Sequence, residues 1–178
     1  MEGAKVIGHT NSFYKATTGD IVIGIVGRKN GDDWLVDIGS SHNAYLPGMA
    51  FAGVTKQSAP KFDKGELVVA WVEKVPEAGE VLLSCIPRTQ NEKLGRLTGG
   101  TVLRLRQNDM KLLDDIEFNK LVAAKSKLSV APGMNGRYWF ETGNSIADVQ
   151  LLSLIKSSLS QPNPKEAFED GLNKIRFN

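Results

Sequence analysis

Short apolar runs alternate with turn-forming residues from Gly19 to Pro87. Five of these runs are rich in β-branched and aromatic residues, as strands are: DIVIGIVGR, WLVDIGS, NAYLPG, ELVVAWVEKV and EVLLSCI. Asn30-Gly31 lies between the first two runs and is typical of a tight hairpin, because both central positions of a type I′ turn need positive φ. Strands at this spacing predict a small all-β barrel or sandwich.

The pattern becomes a mixture of strand and helix periods after Arg88. GTVLRLRQ, KLSVA and RYWFET are predicted strands. Between the first two of them, apolar residues recur near helical spacing, at Met110, Leu113, Ile116, Leu121 and Val122. Asp114-Asp115 is expected to cap a second helical segment within that stretch.

The stretch NSIADVQLLSLIKSSLSQ is the clearest helix of the chain. Ser145 and Asp148 resemble a capping box at its start, and Pro162 and Pro164 follow its end. Its apolar face is predicted at Ile146, Val149, Leu152 (with Leu151), Ile155 and Leu159. The order after Arg88 is therefore β-α-α-β-β-α, and KEAFEDGLNKIRF is expected to add a short last helix.

The net charge of +2 conceals two halves of opposite sign. Residues 1–87 carry eight Lys and Arg against ten Asp and Glu, whereas residues 88–178 carry fourteen against ten. We therefore expect a tail over 1–18, a β-domain over 19–87 and a mixed α/β domain over 88–178. A chain this mildly basic will not hold nucleic acid by electrostatics alone.

Hydropathy and the single cysteine indicate an intracellular protein. No stretch approaches the roughly eighteen apolar residues of a membrane span, and no charged-then-apolar signal peptide opens the chain, so no membrane partner is expected. Cys85 cannot form an internal disulfide. It lies in the apolar run EVLLSCI, where a buried and unreactive thiol is expected.

The residues with catalytic potential form no recognisable active site in the sequence. His9 and His42 lie in polar segments without metal-ligand spacing to a cysteine. Asp32-Asp33 and Asp114-Asp115 are adjacent pairs in turns, and neighbours along a strand point to opposite faces. Neither a phosphate-binding loop nor a nucleophile elbow occurs in the sequence. We expect no enzyme activity, no metal and no cofactor.

Three stretches together resemble a known family. GDIVIGIVGRKNGDDWLVDIG is similar to the opening of an S1-type RNA-binding barrel. YLPGMAFAGVTKQSAPKFDKGELVVAWV and APGMNGRYWF resemble segments of the cap subunits of the RNA exosome. The resemblance runs from about Gly19 to about Leu159. It implies a five-stranded OB/S1-type barrel over 19–87 followed by an α+β KH-type domain over 88–178.

The resemblance also implies a function. Cap subunits are non-catalytic, and three of them sit on a six-subunit ring at the entrance through which RNA reaches a 3′-to-5′ exoribonuclease. The implied partners are the ring subunits, neighbouring cap proteins and single-stranded RNA, bound weakly and without sequence preference. The implied localisation is the nucleus and nucleolus, and also the cytoplasm. The alternative is a stand-alone S1-KH factor in translation or transcription.

Family members carry a further N-terminal β-domain, so residues 1–18 are read as a tail or as the remnant of such a domain. A KH module clamps the nucleic-acid backbone with a G-x-x-G loop between its first two helices, a position that falls here at Asp114-Asp115. The G-x-N-G tetrad Gly133, Met134, Asn135 and Gly136 instead joins two predicted strands.

We interpret this tetrad as a structural turn. Gly136 would supply positive φ, and Asn135 would bond to local backbone or to a neighbouring loop. The resemblance implies that the turn serves packing between the two domains. We therefore interpret Tyr138 and Trp139 on the following strand as core or interdomain residues rather than as platforms on which bases stack.

Candidate RNA contacts occur in both halves. In the barrel they are the aromatic residues Trp34 and Tyr45 and the cations Arg28 and Lys29 beside the hairpin, because barrels of this class stack bases next to a positive groove. Arg104 and Arg106 are expected on one strand face. The basic stretch of the second half comprises Arg88, Lys93, Arg96, Arg104, Arg106 and Lys111.

Overall fold

Five strands close a barrel in the first half of the molecule, with one parallel and four antiparallel pairings between them. The computed structural model describes residues 13–177. The strands of the barrel are β1 Ile21–Asn30, β2 Asp33–Asp37, β3 Ala44–Pro47, β4 Leu67–Lys74 and β5 Val81–Ser84. They run in the order β1-β2-β3-β5-β4, and a pairing between β1 and β4 closes the sheet, so the predicted five-stranded barrel is confirmed.

A sixth short strand, β6 Gly95–Leu97, extends the barrel sheet beyond the predicted boundary. It pairs with β4 through Leu67↔Leu97 and Val69↔Gly95. The first domain thus ends after Leu97 rather than at residue 87. The point near residue 88 where the net charge changes sign lies in the loop between β5 and β6. A change in net charge along the sequence does not mark a domain boundary here, because strand pairing and not charge holds β6 to the barrel.

The second half has the predicted β-α-α-β-β-α order, followed by the short last helix that the sequence also predicts. Its sheet is antiparallel in the order β7-β9-β8. Phe118 lies at the centre of its core, with ring centroids 5.6–5.9 Å from those of Tyr138, Phe140 and Phe168. The elements are β7 Thr101–Arg104, α1 Gln107–Asp115, α2 Phe118–Ala123, β8 Ser129–Pro132, β9 Arg137–Glu141, α3 Ser145–Ser158 and α4 Pro164–Leu172.

The junction between α1 and α2 differs from the expected Asp cap. Asp114 and Asp115 are the last two residues of α1, and the N-cap of α2 is Glu117, with φ 53°. Ile116 is 1% exposed and anchors the junction in the core. Burial of this apolar residue, rather than a capping side chain, therefore decides where the first helix ends.

Helix α3 is capped and oriented differently from the sequence prediction. Its N-cap is Asn144, whose side-chain oxygen accepts hydrogen bonds from the amides of Ile146 and Ala147 at 3.0 and 3.2 Å. Asp148 is buried and instead accepts bonds from Thr142. The buried face contains Ala147, Leu151 and Ile155, whereas the predicted core residues Ile146 and Val149 are 70% and 57% exposed.

The apolar runs of β1 and β4 are continuous because both faces of these strands are buried. Val22 and Val68 point into the barrel core. Ile23 and Val69, on the opposite face, pack against Trp139 of β9. Burial on two sides is the condition under which strands lose polar alternation. This outer packing joins the two halves.

Trp34 belongs to the barrel core and not to its surface. It is 7% exposed, and its ring meets Phe62 edge-on with centroids 5.8 Å apart. The ammonium group of Lys29 lies 5.5 Å from the Trp34 ring centroid. Trp34 was predicted to stack on a base, but its ring packs inside the barrel and is not available for that contact.

We predict that Trp34→Ala lowers the free energy of unfolding by about 3–5 kcal/mol, since it removes a large buried aromatic side chain. Urea unfolding followed by circular dichroism measures this loss. Tyr45→Ala, on the half-exposed outer face of β3, serves as the control and should cost about 1 kcal/mol. An unchanged midpoint for Trp34→Ala would contradict its place in the core.

Candidate functional site

The tetrad Gly133–Gly136 forms the turn between β8 and β9 and lies against the barrel. The Asn135 side-chain amide donates hydrogen bonds to the carbonyls of Ile23 and Ile38 at 2.8 and 2.9 Å. The amide of Ile23 donates to the Asn135 side-chain oxygen at 3.1 Å. Asn135 thus bonds to the backbone of the first domain in three places. The structure places the tetrad at the domain interface as a turn.

The two glycines of the tetrad satisfy different steric demands. Gly136 has φ +72°, as the sequence predicts, and a Cβ there would lie 2.5 Å from the carbonyl oxygen of Leu105. A Cβ at Gly133 would lie 2.5 Å from the side-chain oxygen of Asn135 and 3.0 Å from the amide of Ile23. Gly133 therefore allows the turn to approach β1 closely.

Arg137, which sequence reasoning did not single out, is the charged partner of this turn. It is 5% exposed and donates to the backbone carbonyls of Ile23 at 3.0 Å and Asp37 at 2.5 Å. Its guanidinium also pairs with the Asp37 carboxylate at 3.1 Å. Burial lowers the pKa of Arg137, and the charge of Asp37 opposes that effect. The sequence held one indication of this role: Arg137 follows Asn135 by two residues and is the cation of an otherwise mostly apolar predicted strand.

Trp139 closes the linker between the domains. Its indole N–H donates to the carbonyl of Gly99 at 2.9 Å, and its ring packs on Ile23 and Val69. A Cβ at Gly100 would lie 2.7 Å from that ring. The linker glycines therefore let the indole seal the interface, which is the interdomain role expected for Trp139.

Three of the predicted cationic RNA contacts have partners within the protein. Arg88 pairs with Glu92 at 2.7 Å and stacks 4.7 Å from the Trp71 ring centroid. Arg96 pairs with Glu66 at 3.2 Å and also donates to the carbonyl of Lys61. Arg106 pairs with Asp109 at 3.0 Å.

Arg104 and Arg106 do not share a strand face as expected. Strand β7 ends at Arg104, and Arg106 is the N-cap of α1. Lys93, Arg104 and Lys111 are exposed and form no ion pair among residues 13–177. The basic stretch is thus distributed over a loop, a strand end and a helix.

The outer face of β2 and β3, together with the bulged end of β1 at Gly27 and Arg28, remains open. Tyr45 is half-buried there, opposite Leu35, and its hydroxyl accepts a hydrogen bond from Asn30 at 3.1 Å. Gly27 and Arg28 lie on the same side of the barrel as Leu35, in a shallow cavity of about 280 Å³ that we name the bulge cavity. Among the predicted contacts, Arg28 and Tyr45 are the ones on this open face.

The His, Cys, Asp and Glu side chains of the described part of the chain are the remaining candidates for metal binding or catalysis. Within residues 13–177, no three His, Cys, Asp or Glu side chains are grouped as a metal site, and no helix is both long and apolar enough to cross a membrane. His9 lies outside the described residues, and His42 is exposed. Cys85 is buried as predicted, and burial raises the pKa of its thiol to about 12.

Comparisons with known proteins agree with this architecture. Residues 14–95 match the family model described as exosome complex component RRP40, S1 domain. Exosome complex component rrp40 of Schizosaccharomyces pombe is 30% identical over 88% of this chain and 67% of its own length. Exosome complex component RRP40 of Drosophila melanogaster is 31% identical over 83% of this chain and 65% of its own length.

A solved structure shares the fold of both halves. It is a crystal structure assigned to an exosome complex RNA-binding protein, with a TM-score of 0.70 and 21% identity, and the match covers 91% of this chain and 97% of that one. The chain spans 47% to 70% of the length of eight curated relatives that it matches.

We predict that Gly136→Ala destabilises the protein more than Gly143→Ala does. Both glycines have positive φ, at +72° and +82°, so both substitutions carry a backbone cost of about 1–2 kcal/mol. Only the Cβ at residue 136 would meet another atom within 4 Å. Thermal melts of the two variants measure the difference, and equal melting temperatures would contradict the close approach of this turn to Leu105.

Proposed function

The chain belongs to the Rrp40 family of exosome complex components, and from this premise we propose that it is a non-catalytic, RNA-binding subunit of the exosome cap. In this role it helps to assemble the complex and guides RNA 3′ ends to the exoribonuclease. Its partners are the subunits of the ring, the neighbouring cap proteins and single-stranded RNA. It acts in the nucleus and nucleolus, and also in the cytoplasm.

The observation that carries the proposal is an S1-type barrel whose outer β2-β3 face, with the bulged end of β1, stays open, while the outer faces of Ile23 in β1 and Val69 in β4 are buried. Ile23 and Val69 are covered by Trp139, so the second half does not occupy the face with Tyr45. Barrels of this class bind single strands on the face of their second and third strands. The open face is therefore the place for RNA.

The electrostatics support weak binding. Arg88, Arg96 and Arg106 each pair with a carboxylate, so their charges are partly compensated before RNA arrives. Arg28 forms none of the ion pairs in the described part of the chain. A subunit that guides a moving strand benefits from such weak contacts, because tight binding would slow its passage.

We predict that the tagged chain captures ring subunits of the exosome from cell extract, in amounts comparable to its own. Mass spectrometry of the captured proteins measures this, with the tag alone as the control. A cap subunit must contact the ring, whereas a stand-alone factor need not. Capture of ribosomal or polymerase subunits without exosome proteins would favour the stand-alone alternative.

We predict that the purified chain binds single-stranded RNA with Kd on the order of 10⁻⁴–10⁻⁶ M, falling steeply with salt. It should leave the RNA intact in magnesium or manganese. Tyr45→Ala should weaken binding by about 1–3 kcal/mol if a base stacks on this ring, whereas Tyr45→Phe should retain it. Fluorescence anisotropy measures the affinities, and salt-insensitive nanomolar binding to one sequence would contradict the prediction.

A further inference from the structure

A β-bulge interrupts the pairing between β1 and β2. Val26 pairs with Val36 and Lys29 pairs with Trp34, so Gly27 and Arg28 together face the single residue Leu35. Such bulges bend a strand and change the direction of its side chains, and they are frequent beside binding sites. The bulge therefore places Arg28 out of the regular alternation of β1, next to the bulge cavity.

The bulge cavity has an apolar side and a polar side. Gly27 contributes no side chain, and a Cβ there would lie 3.1 Å from the carbonyl oxygen of Leu35, so the two backbones lie close together here and the side chain of Leu35 forms the apolar side. The opposite side is the β2–β3 loop with Asp37, Ser40 and His42. A cavity of about 280 Å³ lies just below the range of about 300–1,000 Å³ that is usual for small-ligand sites, so it suits one small unit of a longer ligand.

The polar groups of the loop are fixed by their own hydrogen bonds. The Ser40 hydroxyl donates to the carbonyl of His42 at 2.6 Å, and the amide of Gly39 donates to the Asp37 carboxylate at 2.7 Å. The His42 ring nitrogen Nδ1 lies 3.1 Å from the Ser41 hydroxyl, which leaves Nε2 for another partner. A pre-formed loop lowers the entropic cost of binding.

The charge balance of the cavity favours an anion. Asp37 would repel a phosphate, but its carboxylate lies 3.1 Å from the buried guanidinium of Arg137. Arg28, by contrast, has no carboxylate partner among the six ion pairs of the described residues. The local sum of the three groups is therefore positive, with the uncompensated charge at Arg28.

We propose that the bulge cavity binds one nucleotide of a single-stranded RNA, with the phosphate at Arg28 and the base over Gly27 and Leu35. His42 and Ser40 then face the edge of the base or the ribose. This inference rests on the proposed RNA-binding function and gives it a location.

The test begins with the unmodified chain, titrated in ¹H–¹⁵N NMR spectra with a ten-nucleotide oligouridine, with uridine monophosphate and with inorganic phosphate. We expect oligouridine to shift the amide signals of residues 27–28, 35–37 and 40–43, and uridine monophosphate to shift a subset of them more weakly. Shifts with phosphate but with neither nucleotide probe would mean an adventitious ion only. Shifts with the mononucleotide alone would mean a free-nucleotide site, and either result overturns the proposal.

The second arm compares two variants that each remove one positive charge. Arg28→Gln should weaken oligouridine binding about tenfold, as expected for one lost charge-assisted hydrogen bond. It should also reduce the slope of log affinity against log salt by about 0.7, the share of one phosphate contact on a single strand. Lys174→Gln, an exposed lysine beyond the end of α4, should change the affinity by less than about twofold.

The outcomes separate this inference from the function on which it rests. If the parent binds oligouridine and Arg28→Gln binds it with the same affinity and salt slope, the cavity is not the site, while the RNA-binding function stands. If the parent binds no oligouridine at all, the RNA-binding function fails together with the cavity. Capture of exosome subunits is measured separately and is independent of both results.

Discussion

The backbone of Ile23 is the point on which the arrangement of the two halves depends. Strand β1 is buried on both faces, so any polar backbone group there that lacks a partner would cost free energy. The carbonyl of Ile23 accepts from both Asn135 and Arg137, and its amide donates to Asn135. These bonds require that the β8–β9 turn approach β1 closely, which explains the glycine at residue 133.

This contact also determines which surfaces remain for function. Because the second half covers Ile23 and Val69, the face of the barrel with Leu35 and Tyr45 stays open. The buried guanidinium of Arg137 reaches Asp37 at the edge of that open face. One side chain of the interface therefore adjusts the charge of the surface that we propose for RNA.

The cations show why counting charges locates a binding surface poorly. Arg88 and Arg96 belong to one of the densest basic stretches of the sequence, yet both stack on aromatic rings and pair with glutamates. Arg28, by contrast, lies in the half with net negative charge, and its guanidinium forms no ion pair with any described residue. The partner is close in sequence for Arg88, which pairs with Glu92, but lies in another segment for Arg96, which pairs with Glu66, so composition does not reveal which charges are compensated.

The sequence by itself determined the local features: the five barrel strands, the β-α-α-β-β-α order and the Asn-Gly turn at Asn135-Gly136, because strand propensity and turn chemistry act over a few residues. Tertiary structure alone decided that Trp34 faces the core, that β6 joins the barrel, and that Ile146 and Val149 face outward. The spacing of apolar residues shows which residues share a face of a helix or strand, but it does not show which face a neighbouring element covers. Burial of Arg137 and the bulge at Arg28 likewise depend on contacts between segments far apart in the chain.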